Sequence, residues 1–249
     1  MRLRRLLLPL AALLVALAAA LALLPARWLM AWIPAHWPVA VVDAAGSIWQ
    51  GSALVAVGPP GMRRTLPEAV RWHWRWSAQG PAMRIVHPWL AGPVILAPGL
   101  AGLHVSAQSL RLPATTLAAL GAPLNTLEPG GQLTAAWPAL RLPGPPPEGA
   151  VLTLQWLDAS SARVPIQPLG SYRARLLGRE DGSLALLIDS QKGPLLVQAE
   201  GQLKRSRLVR LDGTVQPAAD AAPEIREALV PILGLLGPRK NDVTTLKLP

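Results

Sequence analysis

The sequence predicts a mainly β, antiparallel protein preceded by a single transmembrane helix, and three observations carry that prediction. Leu6 to Leu24 is a run of nineteen uncharged residues interrupted only by Pro9. At about 1.5 Å per residue, such a helix approaches the roughly 30 Å hydrocarbon thickness of a bilayer. From Val39 onward the apolar segments become short and are punctuated by Gly and Pro, 21 and 27 in the whole chain, a strand-and-turn texture. Within it, Arg71-Trp72-His73-Trp74-Arg75-Trp76 alternates polar and apolar residues with the period of a β-strand. The sheet is expected to be curved, with one or two short helices packed on it.

The N-terminus sets the topology. Arg2, Arg4 and Arg5 precede the apolar run, and the positive-inside rule keeps that end in the cytoplasm. The expected division is a cytoplasmic end at 1–5, a transmembrane helix at 6–24, a juxtamembrane segment at 25–38 and a β-rich domain at 39–249. A cleavable signal peptide is the competing reading, because Ala18-Ala19-Ala20 and Ala20-Leu21-Ala22 are small-x-small sites. The length of the run and the apolar Trp28–Ile33 beyond it favour retention. Trp28, Trp32 and Trp37 fit an aromatic belt at the far interface. No later stretch reaches the length of a second span.

In chain order, Val39–Val42 and Ala53–Val57 read as strands flanking Ala45-Gly46-Ser47-Ile48-Trp49-Gln50-Gly51-Ser52, with Gly46, Gly51 and Gly58 at turn or close-approach positions. The Trp strand follows, Trp72, Trp74 and Trp76 on one face and Arg71, His73 and Arg75 on the other. Those indoles either fill a core or line a groove for an apolar chain, and the pattern leaves both readings open. Short strands are expected near Met83–Val86, Val94–Leu96 and Leu103–Ser106. Leu112 to Leu120 reads as a short helix with Pro113 in its first turn and Gly121 after it. Asn125–Gly131 reads as a turn before a strand at Gln132–Trp137. Pro143–Gly149 is the densest Pro/Gly stretch, and a subdivision of the domain is expected near 143–149. Strands then resume at Ala150–Ala159, Tyr172–Gly178, Ser183–Ile188, Leu195–Gln202 and Arg207–Thr214, with Asp181-Gly182 as a hairpin turn. Pro223–Leu236 reads as a helix with Glu224 and Glu227 in its opening turns, a kink at Pro231 and Gly237 after it. Each half ends a run of strands with a short helix closing on Leu-Gly, at Leu120-Gly121 and Leu236-Gly237, which suggests an internally duplicated strand-plus-helix unit.

Composition removes several classes of function. There is no cysteine, so disulfides, thiolate metal sites and a Cys nucleophile are excluded. The net charge of +10 raises nucleic-acid binding, but three of those charges belong to the N-terminal topology signal and most others are dispersed. The one dense cluster, Lys204-Arg205-Ser206-Arg207 with Arg210, lies in a strand-like stretch and reads as an exposed face for an acidic partner or anionic headgroups. His36, His73, His87 and His104 show no metal-ligand spacing. No G-x-S-x-G elbow, Walker loop or G-x-G-x-x-G is present, and Glu180-Asp181 sits at a turn. The expectation is a protein with no catalytic residues, no metal and no cofactor.

The ordered set of these motifs resembles protein N of the bacterial type II secretion system. The resemblance is carried by the N-terminal anchor, Ala45–Ala53 with Gly46, Trp49 and Gly51, Trp72–Trp76, and Leu112–Leu127 with Gly121 and Pro123. It continues through Pro129–Gly131 into Trp137, Pro168–Tyr172 with Gly170, Gly193-Pro194-Leu195 with Gly201, and Leu235–Gly237. It implies an accessory component of the inner-membrane platform, with its β-rich domain in the periplasm. Such a protein catalyses nothing and supports export of folded exoproteins across the outer membrane through contacts with other subunits. The motif glycines and Trp49 are then structural. The alternative is a membrane-anchored β-groove protein that carries a lipid or other apolar ligand in the cell envelope.

Overall fold

A computed structural model describes the chain except residues 1, 29–32, 35, 36, 38, 59, 60, 62, 78, 79, 101, 121–123, 145, 146, 148, 205, 206, 241 and 249. The described part is mainly antiparallel β-sheet with few helices, and it divides into two compact units, Met1–His87 and Pro88–Pro249.

Unit 1 opens with a 21-residue helix, α1 (Arg2–Ala22). Its described apolar side chains Leu10, Leu13, Leu14, Val15, Leu17 and Leu21 are 53–69% exposed and, at 100° per residue, are spread around the axis. Among the described residues, no helix is long and apolar enough to cross a membrane. The sheet of unit 1 runs β1 (Val39–Gly46), β2 (Gln50–Val57), β4 (Val70–Ser77), β5 (Gly80–Val86), and the two-residue β3 (Arg64–Thr65) pairs with β2. A bulge between Val41 and Asp43 shifts the β1–β2 register. Val41, Ala44, Ala53, Trp72, Met83 and Ile85 share the apolar face, and Ala26, just past α1, is buried against them.

Unit 2 contains β6 (Val94–Gly99), β7 (Gly102–Val105) and β10 (Leu140–Leu142), paired in that order. It also contains a nine-stranded sheet built from β8 (Gln108–Pro113), β9 (Pro129–Trp137), β11 (Ala150–Ser161), β12 (Gly170–Gly178), β13 (Leu184–Lys192), β14 (Leu195–Lys204), β15 (Arg207–Pro217), β16 (Arg239–Lys240) and β17 (Val243–Leu248). Its strand order is β16-β17-β15-β14-β13-β12-β11-β9-β8. From β11 to β15 each strand pairs with the next in sequence, the short-connection meander that antiparallel pairing permits.

One face of that sheet is apolar. Leu154 stands opposite Ala174, which stands opposite Ile188, and Val197 stands opposite Val215. Helix α2 (Pro223–Leu236) covers part of this face, with Leu229, Ile232 and Leu233 buried against Leu195 and Val215. Pro223 at its start has no N–H to leave unpaired, and Glu224 suits the positive end of the helix dipole. Pro231 lies inside α2 as expected.

Two expectations are corrected in the stretch before β9. Leu112-Pro113 ends strand β8, and the helical part is a 3-10 segment, Ala114–Leu120. A proline is tolerated there because β8 is an edge strand of the nine-stranded sheet. The expected turn at Asn125–Gly131 is one helical turn, Leu124–Leu127, joined to β9 by the single residue Glu128. Residues 143–149 lie between β10 and β11 in the sequence.

Candidate functional site

Two places concentrate the unusual chemistry of the chain. The first, in unit 1, is the β1–β2 turn, Ser47–Trp49. Ile48 O accepts the indole N–H of Trp72 at 3.1 Å and that of Trp74 at 3.2 Å. Trp49 stacks edge-on against Trp74, with centroids 6.1 Å apart. The Trp49 indole in turn donates to Leu21 O at 2.8 Å, and Ile48 N donates to Leu24 O at 3.0 Å. Carbonyls in the last turn of a helix lack intrahelical partners, so the turn of the sheet caps the end of α1. Ala26 N to Gly46 O, 3.0 Å, extends the joint.

The sequence-predicted motif residues of this region converge there. Gly46 and Gly51 are a cross-strand pair. Gly46 has φ +86°, and a Cβ on Gly51 would lie 2.7 Å from the Trp72 ring and 2.6 Å from Ala45 O. The bare backbone of Gly51 is the floor on which Trp72 lies.

The Trp ladder is neither wholly core nor wholly groove. Trp72 is 6% exposed, Trp74 is half-buried and Trp76 is 82% exposed. The cause is register: β2 begins at Gln50, opposite His73, so β4 runs on past the end of β2 and Trp76 has no β2 residue opposite it.

The second place is a partly open cavity of about 450 Å³ on the apolar face of the nine-stranded sheet. Its floor includes Leu154, Trp156, Tyr172, Ile188 and Val197, and its walls include Leu117, Leu127, Ile232 and Leu236. Three of its lining side chains, Trp156, Ser161 and Tyr172, turn their polar atoms to backbone, whereas the Arg173 Nε is buried with no hydrogen-bond partner. Trp156 donates its indole N–H to Gly130 O at 2.9 Å, and Ser161 donates to Leu127 O. The Tyr172 hydroxyl lies 3.2 Å from Leu169 O and 3.0 Å from Leu195 O, to either of which it donates. Burial pushes the Tyr172 phenol well above its ordinary pKa. A cavity of this volume falls in the range of small-molecule sites, about 300–1,000 Å³. With an accessible lining that is almost wholly apolar, it suits hydrocarbon.

Gly170 and Gly193 meet beside this cavity. Gly193 has φ +114°, and a Cβ there would collide with the Gly170 Cα and lie 2.8 Å from Leu169 O. A Cβ on Gly170 would lie 2.9 Å from the Tyr172 hydroxyl. Gly237 follows α2 and leaves room for Thr245 O, 2.5 Å from where its Cβ would be. Gly121 and Pro123 lie outside the described residues, as do His36, Trp32, Arg205 and Ser206 and the side chains of Arg2, Arg4, Arg5 and Arg207.

The cavity is what the sequence reading missed. Its signal was present in the alternation of Leu152, Leu154 and Trp156 with Thr153 and Gln155, but the elements that leave it uncovered are far apart in the chain. Asp181 serves a turn: it accepts from Ser183 N at 2.9 Å and from the Ser183 hydroxyl, bonds that hold its pKa below the usual carboxylate value. Among the described residues, no group of three or more His, Asp or Glu could hold a metal ion.

The molecule is therefore an antiparallel β-sheet protein in which one unit caps the end of an apolar helix and the other presents an apolar trough. The family model of type II secretion system (T2SS), protein N, matches residues 38–245, and the chain belongs to that family. Membership ties it to type II secretion and to the other components of that machine. No curated protein and no solved structure matches the chain.

Proposed function

We propose that the protein is a non-enzymatic accessory component of the inner-membrane platform of the type II secretion system. In this reading α1 is a single-pass anchor with its N-terminus in the cytoplasm, and the β-units stand in the periplasm. There they contact other subunits and support export of folded exoproteins across the outer membrane. The observation that carries the reading is the family match over residues 38–245. The nineteen uncharged residues Leu6–Leu24 behind Arg2, Arg4 and Arg5 support the anchor. Deleting the gene is expected to leave growth intact and to trap exoproteins in the periplasm, as measured by fractionation under conditions in which the system is expressed. Unchanged extracellular exoprotein overturns the reading.

The 450 Å³ apolar trough favours a second reading, in which the domain holds an apolar ligand such as an acyl chain. A diazirine-bearing fatty acid, added to the full chain in lipid nanodiscs and mapped by mass spectrometry, is expected to label peptides containing Leu154, Ile188 or Val197. Labelling confined to α1 removes this reading.

A further inference from the structure

We propose that the far end of the β4–β5 hairpin, Trp74–Trp76 with Pro81 and Ala82, is a second membrane contact that rests Trp76 in the headgroup layer of an anionic bilayer beside α1. This rests on the reading of α1 as the anchor.

The direction of the chain is the first argument. Leu24 O takes the N–H of Ile48, Ala26 N donates to Gly46 O, and Pro25 bridges Ser47 in antiparallel sense. Residues 24–26 therefore leave the turn along the sheet, and α1, which precedes them, extends from the turn in the opposite direction. The β4–β5 end projects to that same side, because β4 continues beyond His73, the partner of Gln50 at the start of β2. Past Trp74, whose N–H donates to Trp49 O at 2.8 Å, Arg75 and Trp76 pair only with Ala82 and Pro81 of β5. Two residues of strand carry Trp76 about 7 Å beyond Trp74, comparable with the roughly 5.4 Å of the last turn of α1. Alternation puts Trp76 on the face of Trp72, against which Ala26 packs. The indole thus stands level with the end of the helix, on the face that receives the chain leaving it.

The second argument is chemical. An indole that is 82% exposed in water gains from the headgroup region, where its apolar body and its N–H are both accommodated. The opposite face of the hairpin carries Arg71 and Arg75, both exposed, and the half-buried Arg84, which stands opposite His73. The ion pairs among the described residues, Arg163–Glu128, Arg175–Asp189, Lys192–Asp158 and Arg210–Asp212, all lie in unit 2. The guanidinium groups of Arg71, Arg75 and Arg84 remain available to phosphate oxygens. An acidic protein surface could use the same charges, but it would not call for a bare indole level with the end of an apolar helix.

The cysteine-free sequence suits a labelling test. Ala82→Cys and, separately, Ala16→Cys in the full chain are coupled to the environment-sensitive dye NBD and reconstituted in vesicles of phosphatidylethanolamine and phosphatidylglycerol. The label at 16 is expected to lose most of its emission to spin labels on the acyl chains, and the label at 82 to spin labels on the lipid headgroups. Adding Trp76→Ser, or Arg75→Glu, is expected to abolish the quenching at position 82 and leave that at position 16 intact. Quenching at 16 with none at 82, or quenching at 82 that survives Trp76→Ser, overturns the hairpin contact alone. No quenching at 16 overturns the anchor reading itself, and the hairpin contact with it.

Discussion

In unit 1 the apolar face of the sheet is closed by the chain that has just left α1, whereas in unit 2 it is closed by α2, a helix that covers only part of the face. The small lid of unit 1 suffices because Trp72 and Trp74 both anchor to Ile48 O and the bare backbone of Gly51 admits the Trp72 ring. The broader face of unit 2 exceeds what one 14-residue helix can cover, and the remainder is the trough. Charge follows the same division: unit 2 pairs arginines with acids on its polar surfaces, while Arg71, Arg75 and Arg84 of unit 1 enter none of the described ion pairs. Both units use a glycine pair for close backbone approach, Gly46 with Gly51 and Gly170 with Gly193. Where the lid is small, the Trp76 indole is left exposed; where the lid is partial, an apolar cavity is left.

The largest effects should come from removing each lid's contact. Trp72→Ala is expected to cost about 3–5 kcal/mol and Leu233→Ala about 2–5 kcal/mol, the usual ranges for buried aromatic and aliphatic truncations. Hydrogen exchange reads each in its own unit: faster exchange in β2 and β4 for the first, in β14 and β15 for the second. If Trp72→Ala left β2 and β4 protected, Ala26 and Trp72 would not form a core and the comparison would fail on the unit 1 side.

A smaller effect isolates the trough. The chain has one tyrosine, so the phenolate absorbance of the folded protein reports Tyr172 alone. Its folded pKa is raised by burial, so the neutral form contributes stability that is complete below the unfolded value of about 10 and is lost as pH climbs from there towards the folded value. Tyr172→Phe is expected to cost about 1 kcal/mol near neutral pH, through the hydroxyl's bond to Leu169 O or Leu195 O. It should also remove part of the stability loss above pH 10. A tyrosine that titrates near 10 in the folded chain would mean the trough is wetter than its lining implies.

Much of this arrangement was legible beforehand, and the rest was hidden for identifiable reasons. Strands such as Val39–Val42, Tyr172–Gly178 and Leu195–Gln202 lie within β1, β12 and β14, because period-two alternation and flanking turn residues are local signals. Strand β8 was obscured because Pro113 at a strand's end resembles Pro in a helix's first turn. The exposure of Trp76 depends on where β2 begins, a partner's property that the Trp strand does not contain. Trp49 reads as a packing residue in its motif; that its indole caps Leu21 O depends on a segment 28 residues away. The trough required Leu117, Leu154, Ile188 and Ile232 to meet, contacts that no local pattern encodes.

The smallest expected effect sharpens the comparison without disturbing either site. Gly234 lies on the exposed side of α2, and a Cβ there would meet nothing within 4 Å. A glycine inside a helix loses backbone entropy that alanine does not, so Gly234→Ala should stabilise unit 2 by about 0.5–1 kcal/mol. The residues of α2 that wall the trough, Ile232 and Leu236, keep their contacts. Exchange should therefore slow in α2 and β15 while photolabelling of the trough by the fatty-acid probe stays unchanged. If stiffening α2 instead reduced that labelling, the trough would depend on movement of its lid, and partial coverage would be a gate where the comparison has it as a fixed opening.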